Sequence, residues 1–366
     1  MRIGLLTTSF PRYDDDVAGC FVLRHARELA ARGHEVEVLA PEPPRGAPPP
    51  THAGVRVTWV PYLRPRALQR TFYGAGAPDN LRADALAWLG PLPFAANLLA
   101  TARGRGAAWD ALVSHWALPC ALTAGLVRGD RPHTAVLHSA DIHLLSRLPG
   151  GARLARAVAR GASELRFVSE HGRRTFMGLL PPGARQATAA CARVEPMPID
   201  APRPPQGSRH ELRRSLGLTR FTLLFLGRLV PIKGLAEAIG ALHDRADLEL
   251  LVAGDGPERP HLERLARGVP LHVRFLGTVV GSRKEALLHA ADALLMPSRP
   301  EPDGRTEGAP LVVREAVARG LPVIAARTGG IPELLDAQSS PLLFDPHRPG
   351  SLDASIARLQ HGAASV

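Results

Sequence analysis

Two glutamates, Glu307 and Glu315, stand eight positions apart, and Gly308-Ala309-Pro310-Leu311 directly follows the first. Proline suits the first turn of a helix, so a helix opening near Pro310 would leave the N–H groups around Gly308, Ala309 and Leu311 unpaired and turned to a ligand. Glu315, more than a turn into that helix, could accept hydroxyl donors such as those of a ribose. Glu307, ahead of it, could grip sugar hydroxyls and favour positive charge building on an anomeric carbon. Upstream, residues 227–234 read GRLVPIKG, between a strand-like run and a helical one. Backbone N–H groups at such a turn suit a phosphate, and Arg228 and Lys233 would add two fixed positive charges there. A solvated basic loop would read the same way. Residues 253–257, AGDGP, carry two glycines that let backbone approach a ligand and an aspartate that can accept hydrogen bonds. Without the third glycine of the dinucleotide fingerprint this is by itself a common turn.

An acidic run, Asp14-Asp15-Asp16, offers the residue type that chelates a Mn²⁺ or Mg²⁺ diphosphate. It falls in the loop after the first strand, while Arg228 and Lys233 already bring positive charge, so it reads as solvated loop and no metal or other cofactor is expected. Cys20, Cys120 and Cys191 are widely spaced, with no paired-ligand spacing, which fits reduced thiols of a cytoplasmic protein.

The elements that must position these residues alternate along the chain. Strand-like runs fall at 3–7, 36–40, 55–60, 111–114, 134–138 and 165–168, then at 222–226, 248–253, 272–275, 293–296 and 322–325. Between the first two, residues 21–32 place Val22, Ala26, Leu29 and Ala30 on one helical face, and Gly33 ends the helix. Repeated βαβ units predict an α/β fold with helices on both faces of parallel sheets. Five prolines within 196–208 interrupt the alternation. We therefore expect an N-terminal Rossmann-like domain over 1–198, a linker over 199–208, and a C-terminal Rossmann-like domain over 209–345. Residues 346–366 would be a short tail with at most a short helix. Two doubly wound domains would face each other across a ligand-binding cleft.

The chain is long enough for two cores, and its net charge is +11. Residues 1–198 hold 24 arginines against 15 acidic residues, whereas the rest is close to balanced. An arginine-rich composition explains this, since only Lys233 and Lys284 are lysines; so does an N-terminal half that meets an anionic membrane or a phosphate-bearing acceptor. Nucleic acid is not expected, because aromatics do not interleave with the arginines. The longest apolar stretch read from the sequence, 89–100, is too short to span a bilayer and contains two prolines.

Residues 221–335 resemble the donor-binding domain of the retaining glycosyltransferases of family 4, of two-domain GT-B architecture. GRLVPIKG, AGDGP, FLGTV and PSRPEPDGRTEGAPLVVREAVARGLPVIAARTGGIPE occur in that family's order and spacing. The resemblance implies that Arg228 and Lys233 hold a donor diphosphate, Glu315 the ribose, Glu307 the transferred sugar, and the backbone at 277–279 the base. Residues 9–41 resemble the family's first βαβ unit, which assigns Gly19 to the donor phosphates. SHWALP at 114–119 and LHSADIH at 137–143 resemble two further loops. They imply that His138 approaches the transferred sugar and that Asp141 supports its loop or the acceptor site. His115 and His143 read as ordinary core or surface histidines.

The expected chemistry is metal-independent hexosyl transfer from a nucleotide sugar with retention. The acceptor would be a glycan, a lipid-linked or cell-surface polysaccharide precursor, or a small molecule, and the location cytoplasmic or peripheral on the inner face of the membrane. Residues 62–105 resemble those of relatives acting on polyprenyl-linked saccharides, though an apolar core helix accounts for 89–100 equally well. A nucleotide-sugar epimerase and an inactive nucleotide-sugar- or glycan-binding subunit remain the alternatives.

Overall fold

The computed structural model describes residues 1–14, 16–46, 48–204, 207–335 and 342–363. Its contacts divide the chain into two units, Met1–Pro198 and Ile199–Val366. Expected linker positions 205 and 206 lie outside the described residues, as does Asp15 of the acidic run.

The first unit is built on β1 (Arg2–Leu6), β2 (Glu35–Pro41), β3 (Thr51–His52), β4 (Val55–Val60), β5 (Ala111–His115), β6 (His133–Leu137), β7 (Glu164–Phe167) and β8 (Ala192–Val194). They lie in the order β3-β4-β2-β1-β5-β6-β7-β8. All neighbours run parallel except β3 with β4. β1 is buried on both faces over Ile3–Leu6 and reads there as a continuous run without polar side chains, whereas β2 begins Glu35-Val36-Glu37-Val38 and buries Glu37, which accepts from Trp109 Nε1 at 3.0 Å. One layer of core gathers Leu6, Leu39, Phe94, Leu98 and Leu112; another gathers Leu137, Ile142, Leu165, Phe167 and Phe176.

Three details differ from the sequence reading. Helix Cys20–Ala31 buries Val22, His25 and Ala26 while Ala30 is exposed; His25 takes an inward position because it finds a hydrogen-bond partner there. Strand β6 stops at Leu137, and His138 is the residue before helix Ser139–Arg147. The apolar stretch is longer than it looked: Ala85–Gly106 is 22 residues, enough by length and composition to cross a membrane. The chain folds it instead as a 3-10 turn (Ala85–Leu89) and a helix (Pro91–Gly106) whose Phe94, Leu98 and Ala102 enter the core. Gly90 and Pro91 mark the break.

The second unit holds β9 (Phe221–Leu226), β10 (Leu248–Ala253), β11 (His272–Gly277), β12 (Ala293–Met296), β13 (Val323–Ala326) and β14 (Leu343–Phe344), all parallel, in the order β11-β10-β9-β12-β13-β14. Successive residues of one strand feed opposite cores. Leu224, Leu251 and Leu294 pack with Leu287 and Val313, while Leu223, Phe225 and Leu250 pack with Leu235, Ile239 and Ile356. That period-two division requires helices on both faces. The stretch expected as a tail contributes helix Ser351–Ala363, whose Leu352 and Ile356 belong to this core. In both sheets the strand order reverses beside the first strand, so the loops after β1 and β5, and after β9 and β12, flank the switch point where ligands of such sheets bind.

Candidate functional site

In the second unit the loops after β9 and β12 bring Lys233 to Glu307, with Nζ 2.9 Å from Oε1 and both side chains mostly buried. Lys233 ends a 3-10 turn, Pro231–Lys233, and Gly234 caps helix Leu235–Ala241. Ionised partners make this a charge-assisted contact, and an ammonium has three donors, so one engaged by Glu307 leaves two for a ligand oxygen. Arg228 is exposed at the start of the same loop. The glycines of AGDGP serve another purpose than the expected approach to a ligand. A Cβ on Gly254 (φ 152°) would fall 1.8 Å from the Gly227 carbonyl oxygen. The space goes to neighbouring backbone, where Leu229 N–H donates to Asp255 O at 2.9 Å and Gly254 N–H to Gly277 O at 2.8 Å. These bonds tie the loops after β9, β10 and β11 into one support.

Glu307 sits on a stiffened loop. Arg305 and Glu301 form a nearly fully buried ion pair within it, and Gly330 N–H donates to the Glu307 carbonyl at 3.1 Å. The helix that follows, Leu311–Val317, is seven residues long with Pro310 just before it, one position later than the expected start. Gly308 and Pro310 are buried, and Ala309 and Leu311 half-buried. Glu315 is buried on this helix, and Lys284 Nζ reaches its Oε2 at 2.6 Å from helix Gly281–Ala290.

The first unit assembles its candidates around a line of three imidazoles. His25 Nδ1 lies 3.0 Å from His115 Nε2, and His115 Nδ1 lies 3.2 Å from His138 Nε2. His25 and His115 are buried and His138 half-buried. Burial pushes His25 down to about 4 and His138 to about 3, and holds His115 well below the usual imidazole range. At neutral pH all three rings are therefore uncharged, and each contact is one N–H meeting one ring lone pair. Phe21 packs 5.2 Å from His138 and 5.7 Å from Trp116 between ring centroids. Trp116 itself has φ 70°, a left-handed conformation that costs a bulky residue on the order of 1–3 kcal/mol and that packing must hold.

Asp141 is buried, and it accepts the His138 N–H at 2.9 Å and the Ala117 N–H at 2.7 Å. It thus staples the loop after β5 to the helix start after β6. Burial pushes its carboxyl up to about 7 against those backbone donors, Ala117 first. Gly19 caps helix Cys20–Ala31 in the left-handed region (φ 66°), and a Cβ there would meet the Ser9 carbonyl oxygen at 2.4 Å. The fold alone thus demands glycine at 19.

Asp16 receives Arg12 Nε at 2.6 Å and the N–H groups of Arg12 and Ala18, so its carboxylate organises its own loop. Among the described residues there is no group of three His, Cys, Asp or Glu side chains placed to hold a metal ion. The structure brings together Lys233 with Glu307, and Gly19's helix with His138 and Asp141. Sequence reasoning passed over Lys284 and His25 as site residues, and it read His115 as an ordinary core or surface histidine. The scarcity of lysine could have flagged Lys284; nothing local marks His25.

Comparison with known proteins follows the same division. Residues 18–192 match the family model described as glycosyl transferase 4-like domain, and residues 220–361 the one described as glycosyl transferases group 1. The chain is 34% identical over 224 residues to a GDP-mannose-dependent alpha-(1-6)-phosphatidylinositol monomannoside mannosyltransferase of Mycobacterium tuberculosis, a match covering 58% of this chain and 57% of that protein. It is 28% identical over 382 residues to the putative teichuronic acid biosynthesis glycosyltransferase TuaC of Bacillus subtilis, covering 99% and 90%. The Anabaena protein Alr3699/HepE, solved in complex with UDP, superimposes with a TM-score of 0.70 at 19% identity, covering 99% of this chain and 91% of that one. One family model over each unit and a shared two-domain fold place this chain among the family 4-like, group 1 glycosyltransferases of GT-B architecture.

Proposed function

We propose that the protein is a retaining, metal-independent hexosyltransferase that uses a nucleotide-diphosphate sugar. The observation that carries this reading is the 2.9 Å Lys233–Glu307 contact, which sets a fixed cation and a sugar-gripping carboxylate side by side at the switch point of the second sheet. As the bond to the anomeric carbon breaks, negative charge gathers on the leaving diphosphate, and preorganised cations at Lys233 and Arg228 stabilise it without reorganising. The sugar becomes oxocarbenium-like, as in other glycosidic chemistry. Glu307 and His138 are assigned to that sugar, Glu315 to the ribose, and Gly19 and residues 308–311 to the remaining donor contacts. Attack on the same face, with the departing phosphate taking the acceptor's proton, needs no second carboxylate as nucleophile.

For the acceptor we propose a lipid-linked saccharide met at an anionic membrane from the cytoplasmic side. Leu86, Trp88, Leu89 and Leu92 are 44%, 65%, 50% and 82% exposed within one short segment, and solvent-facing clusters of this kind suit an apolar partner. The mannosyltransferase relative, named for a phosphatidylinositol monomannoside, supports the same class.

The test is thermal shift with UDP-, GDP-, TDP- and ADP-sugars, with and without EDTA, since a ligand binding only the folded state raises its apparent stability. One donor giving an EDTA-insensitive rise is the expected result. A rise that EDTA abolishes would overturn metal independence, and no rise with any donor would overturn the transferase reading.

A further inference from the structure

Of 45 basic residues in this chain, 43 are arginine and only two are lysine. Each lysine ends on one of the two glutamates that stand eight apart: Lys233 on Glu307 and Lys284 on Glu315. Thirty-four acidic residues were available as partners, so an indifferent scatter of two lysines does not produce this pairing. Arginine and lysine differ in what they do to a carboxylate. A guanidinium is a planar fork that takes both oxygens at once, whereas an ammonium is a compact point charge that can sit on one.

Both solutions occur side by side between the same two chain segments. Arg319 clamps Glu285 with two bonds, Nε to Oε2 at 2.7 Å and Nη2 to Oε1 at 2.6 Å, and its Nη1 also reaches the Glu315 carbonyl at 2.8 Å. That bidentate, almost fully buried pair fastens helix Gly281–Ala290 to the end of helix Leu311–Val317. One residue earlier, Lys284 meets Glu315 through Oε2. Glu315 has 4% of its side chain exposed and Lys284 18%, so the ammonium guards a carboxylate that is nearly buried. Fastening is already provided by Glu285 and Arg319; the lysine contact adds orientation and charge to Glu315 while claiming fewer of its acceptor positions than an arginine fork.

We propose that Lys284 is a positioning residue of the nucleotide-ribose subsite: its single-point contact holds the Glu315 carboxylate aimed so that it can accept the vicinal ribose hydroxyls. The inference rests on the donor-site reading above and deepens it.

The test is calorimetric titration of the full chain with GDP and UDP and with their 2′,3′-dideoxy counterparts, in the wild type, Lys284→Met, Lys284→Arg and Glu285→Gln. The wild type should bind the better ribonucleotide about 100-fold more tightly than its dideoxy form, the worth of two hydrogen bonds to a charged group. Lys284→Met should reduce that preference to within about twofold, and Lys284→Arg should do the same although it keeps the charge. Glu285→Gln, which loosens the neighbouring clamp, should lower the melting temperature and leave the preference intact. A preference unchanged in both Lys284 variants would overturn the inference while leaving the donor site standing, and Lys284→Arg keeps the test open if Lys284→Met does not fold. Equal binding of ribo and dideoxy forms by the wild type would overturn the ribose subsite and this inference with it. No diphosphate binding by the wild type would overturn the donor-site reading itself.

Discussion

The two units hold their candidate residues by opposite electrostatic means. In the first, three uncharged imidazoles and a buried carboxyl, held against backbone N–H groups, fix one loop and one helix start. In the second, two lysine–glutamate pairs set opposite charges in contact, with Lys233, Glu307 and Lys284 keeping 13%, 16% and 18% of their side chains exposed and Glu315 only 4%. The difference follows from desolvation. A neutral hydrogen-bonded line can be sealed in a core at little cost, whereas an ion pair loses more to dehydration the deeper it goes. Charge suited to a diphosphate therefore belongs where it can still be exchanged for a ligand, and neutral polarity suits a group that must only be aimed. The first unit extends the contrast outward, with its exposed apolar segment around Trp88 and Leu92.

The sharpest break of this comparison is Glu307→Gln, which keeps shape and removes charge. It should lower turnover by about 10²–10³-fold while donor affinity stays within a few-fold, as loss of one transition-state electrostatic contact does. A near-normal rate in single-turnover assays with the donor identified by thermal shift would remove Glu307 from the chemistry. Reversing both cations, Arg228→Glu with Lys233→Glu, should weaken binding of the matching nucleoside diphosphate by about 100-fold, two charged hydrogen bonds being lost; unchanged affinity by calorimetry would disprove the cradle.

On the first unit's surface, Trp88→Ala with Leu92→Ser should weaken binding to vesicles of mixed phosphatidylcholine and phosphatidylglycerol, read by sedimentation, by about 100-fold, since two apolar side chains worth roughly 1.5–3 kcal/mol each when buried are lost. Equal sedimentation of variant and wild type would argue against that face as the contact.

The smallest effect concerns the imidazole line. Its folded-state values lie below the unfolded value of about 6.5, with His25 at about 4 and His138 at about 3. The unfolded chain thus binds more protons below pH 6.5. The line's contribution is complete above that pH and is lost as pH falls toward 4. Asp141, raised to about 7, acts in the opposite sense over pH 4–7. Urea midpoints from pH 7.5 to 4.5 should fall less steeply for His115→Asn than for the wild type, by up to roughly 1.4 kcal/mol per pH unit. Parallel profiles would show that His115 titrates normally.

Much of this architecture is legible in one dimension. The alternation of apolar runs with helical stretches locates eleven strands to within about a residue at most ends, because parallel strands covered on both faces are apolar along most of their length. Two- and three-residue strands such as β3, β8 and β14 escape, being too short to show a period. The motif residues Arg228, Lys233, Glu307 and Glu315 are likewise visible from spacing and type.

What the chain order conceals is who meets whom. Lys284 and Glu315 lie on different helices, and His25, His115 and His138 come from a helix, a strand end and a helix start. The glycine at 254 looked ready for a ligand, yet its space is filled by the carbonyl of Gly227. Burial and turn preferences are local and scale with a few residues, so the sequence by itself determined the elements and the type of chemistry. Hydrogen bonds and ion pairs depend on separations of a few tenths of an ångström between segments far apart in the chain. Only the packing of helices on the two sheets brings such segments to that distance, and so the tertiary structure alone decided the lysine pairing, the imidazole line and the staple made by Asp141.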